Sequence, residues 1–349
     1  VDVAKNETER DTVGINVKII DNGGGIGRVV CRVNGATQAL DSVPPDSAPS
    51  SGLSTKYGKK LSLASGDNFI QVTALNSKNT IESKPAGVRV TRETGPSKKP
   101  DLYIIAIGIS QYRDHALQLL YPANDTKGLV EAVSKSGREL FDNINVEYIL
   151  EQNATKSNIM AAFEKVSQSV QPDDVFILYM AGHGLNVEGR YFFFPWELVY
   201  TGDDSVRREA ITRDELQRLL ARVKAKKAVV LLDTCNAGAF SDSNFRGIVE
   251  KTAIYKLVRS TGRATIMASN DDQAALEGYN GHGVFTWALI EGIYGAADTN
   301  GDKNRETTVK EIADFVMDEV PKITMEKWQY EQFPMHHLLG NSFPVGLVQ

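Results

Sequence analysis

Two short apolar stretches each end beside a residue that can do chemistry. Phe176 to Gly184 (FILYMAGHG) leads to His183, and Ala228 to Gly238 (AVVLLDTCNAG) leads to Cys235, 52 residues further on. Such runs predict buried strands of a parallel sheet, each breaking into a Gly-containing turn. If the strands lie side by side, imidazole and thiol meet beyond their carboxyl ends, where open α/β sheets hold ligands. A thiol of ordinary pKa is only about a few per cent thiolate at neutral pH, so an imidazole that takes its proton makes it a useful nucleophile. Either residue alone is a weak signal, since a free Cys is often a small core hydrophobe. Together, each after an apolar run and beside glycine, they point to a Cys-His dyad.

Ala-Gly-His-Gly (181–184) and Asp-Thr-Cys-Asn-Ala-Gly (233–238) resemble the two signatures of the caspase-like cysteine peptidases. The Asp two before the Cys is similar to the metacaspase and bacterial caspase-homologue branch. The likeness runs from about Asp101 to Asn300, with further matches at Tyr121 to Asp125 (YPAND) and Gly281 to Gly292 (GHGVFTWALIEG). The His-to-Cys separation is close to that of caspases, although the local caspase sequence around the Cys is absent. The resemblance implies a cysteine endopeptidase. Cys235 would be the acyl-forming nucleophile, His183 the group that activates it and later protonates the leaving amine, and the amides of Gly184 and Cys235 the oxyanion donors.

It also implies an acidic pocket of Asp125 and Asp233 that takes a basic P1 side chain, because a substrate Arg or Lys pairs two carboxylates that are otherwise expensive to bury. The alternative makes Asp125 an N-terminal helix cap and Asp233 a structural acceptor. Where metacaspases commonly have Ser two before the His, this chain has Ala181, so one pocket hydrogen bond is missing. Asp271 and Asp272, with Glu277 close behind, line the cleft by the same resemblance or form a solvated loop. His282 sits in a second Gly-His-Gly without a preceding apolar strand, and a structural role at the start of a helix is expected for it.

Asp298 to Glu306 (DTNGDKNRE) begins like an EF-hand loop, with Asp298, Asn300, Asp302 and Asn304 at alternate positions. Lys303 stands where the loop needs Gly, and Glu311 falls at position fourteen instead of twelve, which favours a solvent loop. The chemistry requires no cofactor. Some metacaspases need Ca²⁺ as an activator, and the resemblance does not place that requirement on these residues. Alternatives of other classes are a catalytically silent or partner-activated scaffold in a signalling assembly and a hydrolase of small amides or esters. Self-processing is expected in basic loops, at Arg207 or Arg208, or after the Cys strand at Arg246, Lys251 or Lys256.

The elements that would position these groups fall into two domains, as 349 residues suggest. Residues 1–95 show short strands with polar and apolar alternation, Gly14 to Ile20, Arg28 to Val33, Phe69 to Ala74 and Gly87 to Thr91. They predict a small immunoglobulin-like β-sandwich, a candidate surface for a protein partner. Its Gly-rich stretch from Asp21 to Gly27 (DNGGGIG) lacks the Lys-Ser/Thr ending of a phosphate loop and runs into a strand. Val43 to Gly52 is a Pro- and Ser-rich loop. Residues 96–100 form a linker, and 101–349 the peptidase domain. There Leu102 to Ile109, Val146 to Leu150, Val175 to Met180, Ala228 to Leu232 and Ala264 to Ala268 are expected strands. Helices are expected over Asn124 to Ser136, from Thr155 to Val170, from a Thr212/Glu215 capping box to about Val223, and over Val284 to Tyr294. This alternation predicts a mostly parallel sheet covered on both faces, an α/β caspase-like fold.

Net charge is −5, from 39 basic and 44 acidic residues, which argues against a nucleic-acid-binding protein. The first 98 residues carry 13 basic and 10 acidic residues, so the acidic excess lies in the catalytic part and suits basic substrates. No apolar run approaches the roughly 18 residues of a membrane span. The two cysteines, Cys31 and Cys235, fall in different domains and imply no disulfide framework. The chain begins at Val1 without a Met or a signal-like segment, as a fragment or processed product would; location stays open, with the cytoplasm favoured.

Overall fold

The structure is a computed structural model that describes residues 2–3, 7–42, 54–93, 98–236, 263–269, 275–338 and 342–348; at 2, 3, 7, 235 and 236 only the backbone is described. The expected loop at Val43 to Gly52 lies outside these residues, as do 96–97 of the linker.

The N-terminal part is all β. Its strands are β1 (Asp2–Val3), β2 (Glu7–Thr8), β3 (Thr12–Ile20), β4 (Arg28–Val33), β5 (Ala36–Ser42), β6 (Ser54–Ser62), β7 (Gly66–Ala74) and β8 (Ala86–Arg92). One sheet has the order β1-β3-β6 and the other β2-β8-β7-β4-β5. Alternation decides the faces: Val13, Ile15, Val17 and Ile19 of β3 are buried while the residues between them are exposed. With Cys31, Leu61, Leu63, Ile70 and Val72 they form one core. Strand β6 was not expected, because STKYGKKLS carries three lysines and only Leu61 is fully inside. Pairing with β3 along its whole length makes it a strand regardless.

The remainder is built on a mixed sheet. Its strands include β9 (Leu102–Gly108), β10 (Ile144–Leu150), β11 (Val175–Val187), β12 (Arg190–Phe193), β13 (Ile211–Thr212), β14 (Lys227–Asn236) and β15 (Ala264–Met267). Two short hairpin strands follow, β16 (Glu277–Tyr279) and β17 (His282–Gly283), then β18 (Glu306–Thr308), β19 (Met335–His337) and β20 (Pro344–Leu347). The principal order is β10-β9-β11-β14-β15-β19, parallel except for the last pair. Chain order reverses between β9 and β11, so the carboxyl edge beside them is the topological switch point.

Helices cover both faces: α1 (Pro122–Ser136), α2 (Lys156–Ser169), α3 (Asp203–Glu209), α4 (Arg213–Arg222), α5 (Val284–Glu291), the short α6 (Ala297–Asn300) and α7 (Val309–Trp328). Residues alternate between two cores along each strand. Phe176, Leu178 and Met180 of β11 join the residues of α2 and α4, while Ile177, Tyr179 and Ala181 join those of α1, α5 and α7. Burying such side chains contributes about 1.5–3 kcal/mol each relative to exposure. Helix α1 starts at Pro122, earlier than expected, since Pro is well placed at a first helical position. The Thr155 cap and the Thr212/Glu215 capping box form as expected. The twenty-residue α7 closes the second face with a Thr308/Glu311 capping box.

The two strands that carry His183 and Cys235 run further than their apolar stretches indicate. Strand β11 does not break at Gly182 but pairs with β14 up to Gly184↔Asn236 and then forms a hairpin with β12. The hairpin turn, Glu188-Gly189, has positive φ at both positions, the backbone of a tight two-residue turn. Strand β14 likewise continues through Cys235. Asp173, just before β11, fastens the two parts: Ser65 N and Ser65 Oγ donate to it at 2.6 and 2.9 Å, and Arg92 pairs with it at 3.3 Å. Among the described residues no helix is long and apolar enough to cross a membrane.

Candidate active site

His183 lies on β11 opposite Cys235 of β14. Adjacent strands are about 4.8 Å apart, so the backbone brings the two residues to neighbouring positions at the sheet's carboxyl edge. The imidazole is buried, 5% exposed, beside the rings of Tyr112 and Phe194. Its Nε2 lies 2.9 Å from the Leu117 carbonyl. A carbonyl only accepts, so Nε2 carries the proton and Nδ1 is the basic nitrogen of the neutral ring. Burial holds the pKa of His183 below its usual value, with the Leu117 bond opposing, and that favours the neutral ring a general base needs.

The loop that supplies Leu117 is itself tied down. Asp114 accepts from Ala116 N and Tyr200 N, each at 3.0 Å, and Glu151 accepts from Ser110 N and Gln111 N at 3.0 and 2.8 Å. The same loop carries Tyr112, whose hydroxyl accepts from His183 N at 2.7 Å. Gly182 has φ +149°, and a Cβ there would sit 2.5 Å from that hydroxyl. Gly184 is there for space: a Cβ would meet the Tyr191 ring at 2.9 Å, and Tyr191 OH donates to Thr234 Oγ1 at 3.1 Å. Sequence patterns gave no access to Tyr112, Leu117 or Tyr191, which act through long-range packing.

Asp125 and Asp233 come together. Their Oδ2 atoms lie 3.1 and 3.5 Å from the place a Cβ on Gly283 would take. Asp125 is buried in the first turn of α1 without capping it. It accepts from His282 Nδ1 at 2.7 Å and from Gly283 N at 3.1–3.2 Å. Asp233 is opposite Ala181 in the register and accepts instead from Thr286 Oγ1 at 2.5 Å, with Tyr179 OH at 3.5 Å. The hydroxyl missing at Ala181 is thus replaced from α5 and from the interior of β11. Burial, and then the charge of Asp125, push the Asp233 carboxyl up to about 7. Burial also raises Asp125, against the hydrogen bonds from His282 and Gly283, and raises Glu277, which lies near both.

His282 stands just ahead of α5, as its sequence setting indicated, and from the second strand of the hairpin it also pairs with Asp125, which that setting did not indicate. The signal was the tight Asn280-Gly281 turn before it. Arg207 and Arg208 are not in a loop: acidic residues open α3 and these arginines close it, matching the helix dipole, and Arg207 pairs with Glu188 at 3.1 Å. Asp271, Asp272, Arg246, Lys251, Lys256 and the Cys235 side chain lie outside the described residues.

Asp298, Asp302 and Glu311 offer carboxylate oxygens within 4.8 Å of one another, so the Glu at position fourteen joins the loop. Glu311 also closes the Thr308 capping box, which accounts for its place without an ion. A cleft of about 1520 Å³ opens between the two parts at the amino ends of the strands, lined by Arg92, Asp101, Asp173, Lys226 and Arg263. It is at the opposite end of the sheet from His183.

A family model described as "Caspase domain" matches residues 103–341. Metacaspase-1 of Saccharomyces cerevisiae, from two strains, is 25% identical over 174 residues, covering 47% of this chain and 39% of that protein. The chain thus spans about two fifths of the length of the curated relatives it matches. Among solved structures, protein GSU0716 from Geobacter sulfurreducens aligns with a TM-score of 0.46 at 16% identity, over 72% of this chain and 97% of that one. Caspase-1 from Spodoptera frugiperda aligns at 0.44 and 14% identity, over 72% and 92%.

Proposed function

The chain belongs to the caspase-domain family, and on that premise we propose that it is a cysteine endopeptidase acting through Cys235 and His183 on peptide bonds after Arg or Lys. The observation that carries the reading is the register of β11 and β14, in which His183 and Cys235 are opposite residues on adjacent parallel strands. In this mechanism His183 Nδ1 takes the Cys235 proton, the thiolate sulfur attacks the scissile carbonyl carbon, and the resulting oxyanion accepts from the amides of Gly184 and Cys235. The imidazolium then gives its proton to the leaving amine. Water hydrolyses the acyl-enzyme by the same groups in reverse order.

Two features support the basic P1 preference. Asp125 and Asp233 converge beside Gly283, and their mutual charge is among the causes that raise Asp233. A guanidinium or ammonium relieves that repulsion, whereas a P1 Asp adds to it. The mechanism routes no step through a metal. Self-processing belongs in this reading to Arg246, Lys251 or Lys256, since Arg207 and Arg208 are helical.

A P1-scanned fluorogenic peptide panel, run with and without Ca²⁺, tests the reading. Arg and Lys peptides are expected to exceed the Asp peptide by about a hundredfold or more in kcat/KM, as like-charge juxtaposition costs several kcal/mol. A preference for Asp overturns it.

A further inference from the structure

His282 is built into the carboxylate pocket by three independent features. The hairpin of β16 and β17 turns through Asn280 and Gly281, with φ +49° and +83°, so that His282 is opposite Tyr279 at the strand end. Asn124 Nδ2 of α1 donates to Gly281 O at 2.9 Å and fastens the turn to the helix that carries Asp125. Helix α1 then leaves room for the ring: a Cβ on Gly128 would lie 2.8 Å from His282 Cε1. Gly inside a helix costs about 1 kcal/mol relative to Ala, so Gly128 is a concession of helix stability at the imidazole's seat.

The ring donates Nδ1–H to Asp125 Oδ1 at 2.7 Å. Beside it, Gly283 N donates to the same buried carboxylate and reaches both oxygens at 3.1–3.2 Å. A backbone amide shared between two oxygens leaves the carboxylate some freedom to turn about its Cβ–Cγ bond. The imidazole removes that freedom and keeps Oδ2 on the side of Gly283 that Asp233 also faces. The ring contacts Asp125 of α1, and that carboxylate in turn acts electrostatically on Asp233 of β14, Glu277 of β16 and the Tyr179 phenol of β11. Lys327 approaches the hairpin from α7, donating to Gly278 O at 2.7 Å.

We propose that His282 is a positioning residue for P1 recognition: seated on Gly128, it holds the Asp125 carboxylate so that both pocket carboxylates face one cationic side chain. This rests on the basic-P1 reading above. It gives the second Gly-His-Gly a role in selectivity and none in bond breaking.

The test uses the full chain and two peptide amides that differ only at P1, Arg and its neutral isostere citrulline. Loss of a charge-assisted hydrogen bond predicts that His282→Ala raises KM for the Arg peptide about tenfold or more, lowers kcat far less, and reduces the Arg-to-citrulline ratio of kcat/KM by a similar factor. His282→Asn, whose Nδ2 can stand where Nδ1 stood, is expected to restore most of that ratio. Gly128→Ala, which crowds the ring without removing any pocket side chain, is expected to lower it. Equal losses on both peptides with an unchanged ratio in His282→Ala overturn the proposal, as does an asparagine variant no better than alanine. If wild type shows no preference for Arg over citrulline, the basic-P1 reading fails instead. Benzamidine binding to Cys235→Ala protein then decides alone: affinity reduced by His282→Ala retains the role, and equal affinity ends it.

Discussion

At the scale of single residues, the pocket carboxylates make a pH prediction separable from the dyad. The Asp233 carboxyl is raised to about 7, first by burial and then by the Asp125 charge. Its folded form therefore binds more protons than the unfolded chain between the ordinary carboxylate range and about pH 7, and its contribution to stability falls as pH rises across that window. A cationic P1 group favours the deprotonated form, so recognition strengthens in the same direction. The Arg-to-citrulline ratio cancels what His183 and Cys235 contribute to both peptides. It is expected to rise with pH through about 7 in wild type and to lose that rise in Asp233→Asn. A ratio independent of pH in both proteins contradicts a titrating Asp233 in the pocket. Cys31 plays no part in such profiles, since burial in the β core pushes its thiol up to about 11.

At the scale of elements, the site depends on two strands that continue beyond their apolar runs. Strand β11 passes Gly182 at φ +149° with Tyr112 OH packed where a side chain would be, and His183 N donates to that hydroxyl. Gly182→Ala combines backbone strain of about 1–3 kcal/mol with a clash against a buried tyrosine. It is expected to lower Tm by several degrees and to reduce kcat more than KM. Circular dichroism melts and peptide kinetics on the same preparation check this, and an unperturbed variant contradicts the packing described. The alternating αβ pattern made the parallel sheet and its flanking helices legible in the sequence, because apolar runs and caps are local signals. Strand ends were not legible: the hairpin partner β12 extends β11, and such pairing is set by residues distant in sequence. Strand β6 was hidden by its lysines for the same reason. His183 and Asp233 stood out as motifs, whereas Leu117, Tyr112, Thr286 and the His282–Asp125 pair become visible only when loops and helices are folded onto the edge.

At the scale of the whole molecule, the β part and the α/β part meet at the amino ends of the central strands and along α4. Asp173 takes Ser65 and Arg92 there, and Arg28 reaches Asp214 at 3.6 Å. Such contacts fasten the two parts to each other. Chemistry at the carboxyl edge of the sheet is the central claim, and it rests on two residues acting as a unit. The most direct measurement is the initial rate of hydrolysis of one Arg-P1 peptide amide by wild type, Cys235→Ala, His183→Ala and the double variant, all shown to be folded. Each single substitution is expected to lower kcat by about a thousandfold or more, and the double variant to be no worse than the singles, because nucleophile and base lose their function together. Cleavage by Cys235→Ala at the wild-type rate would contradict the account.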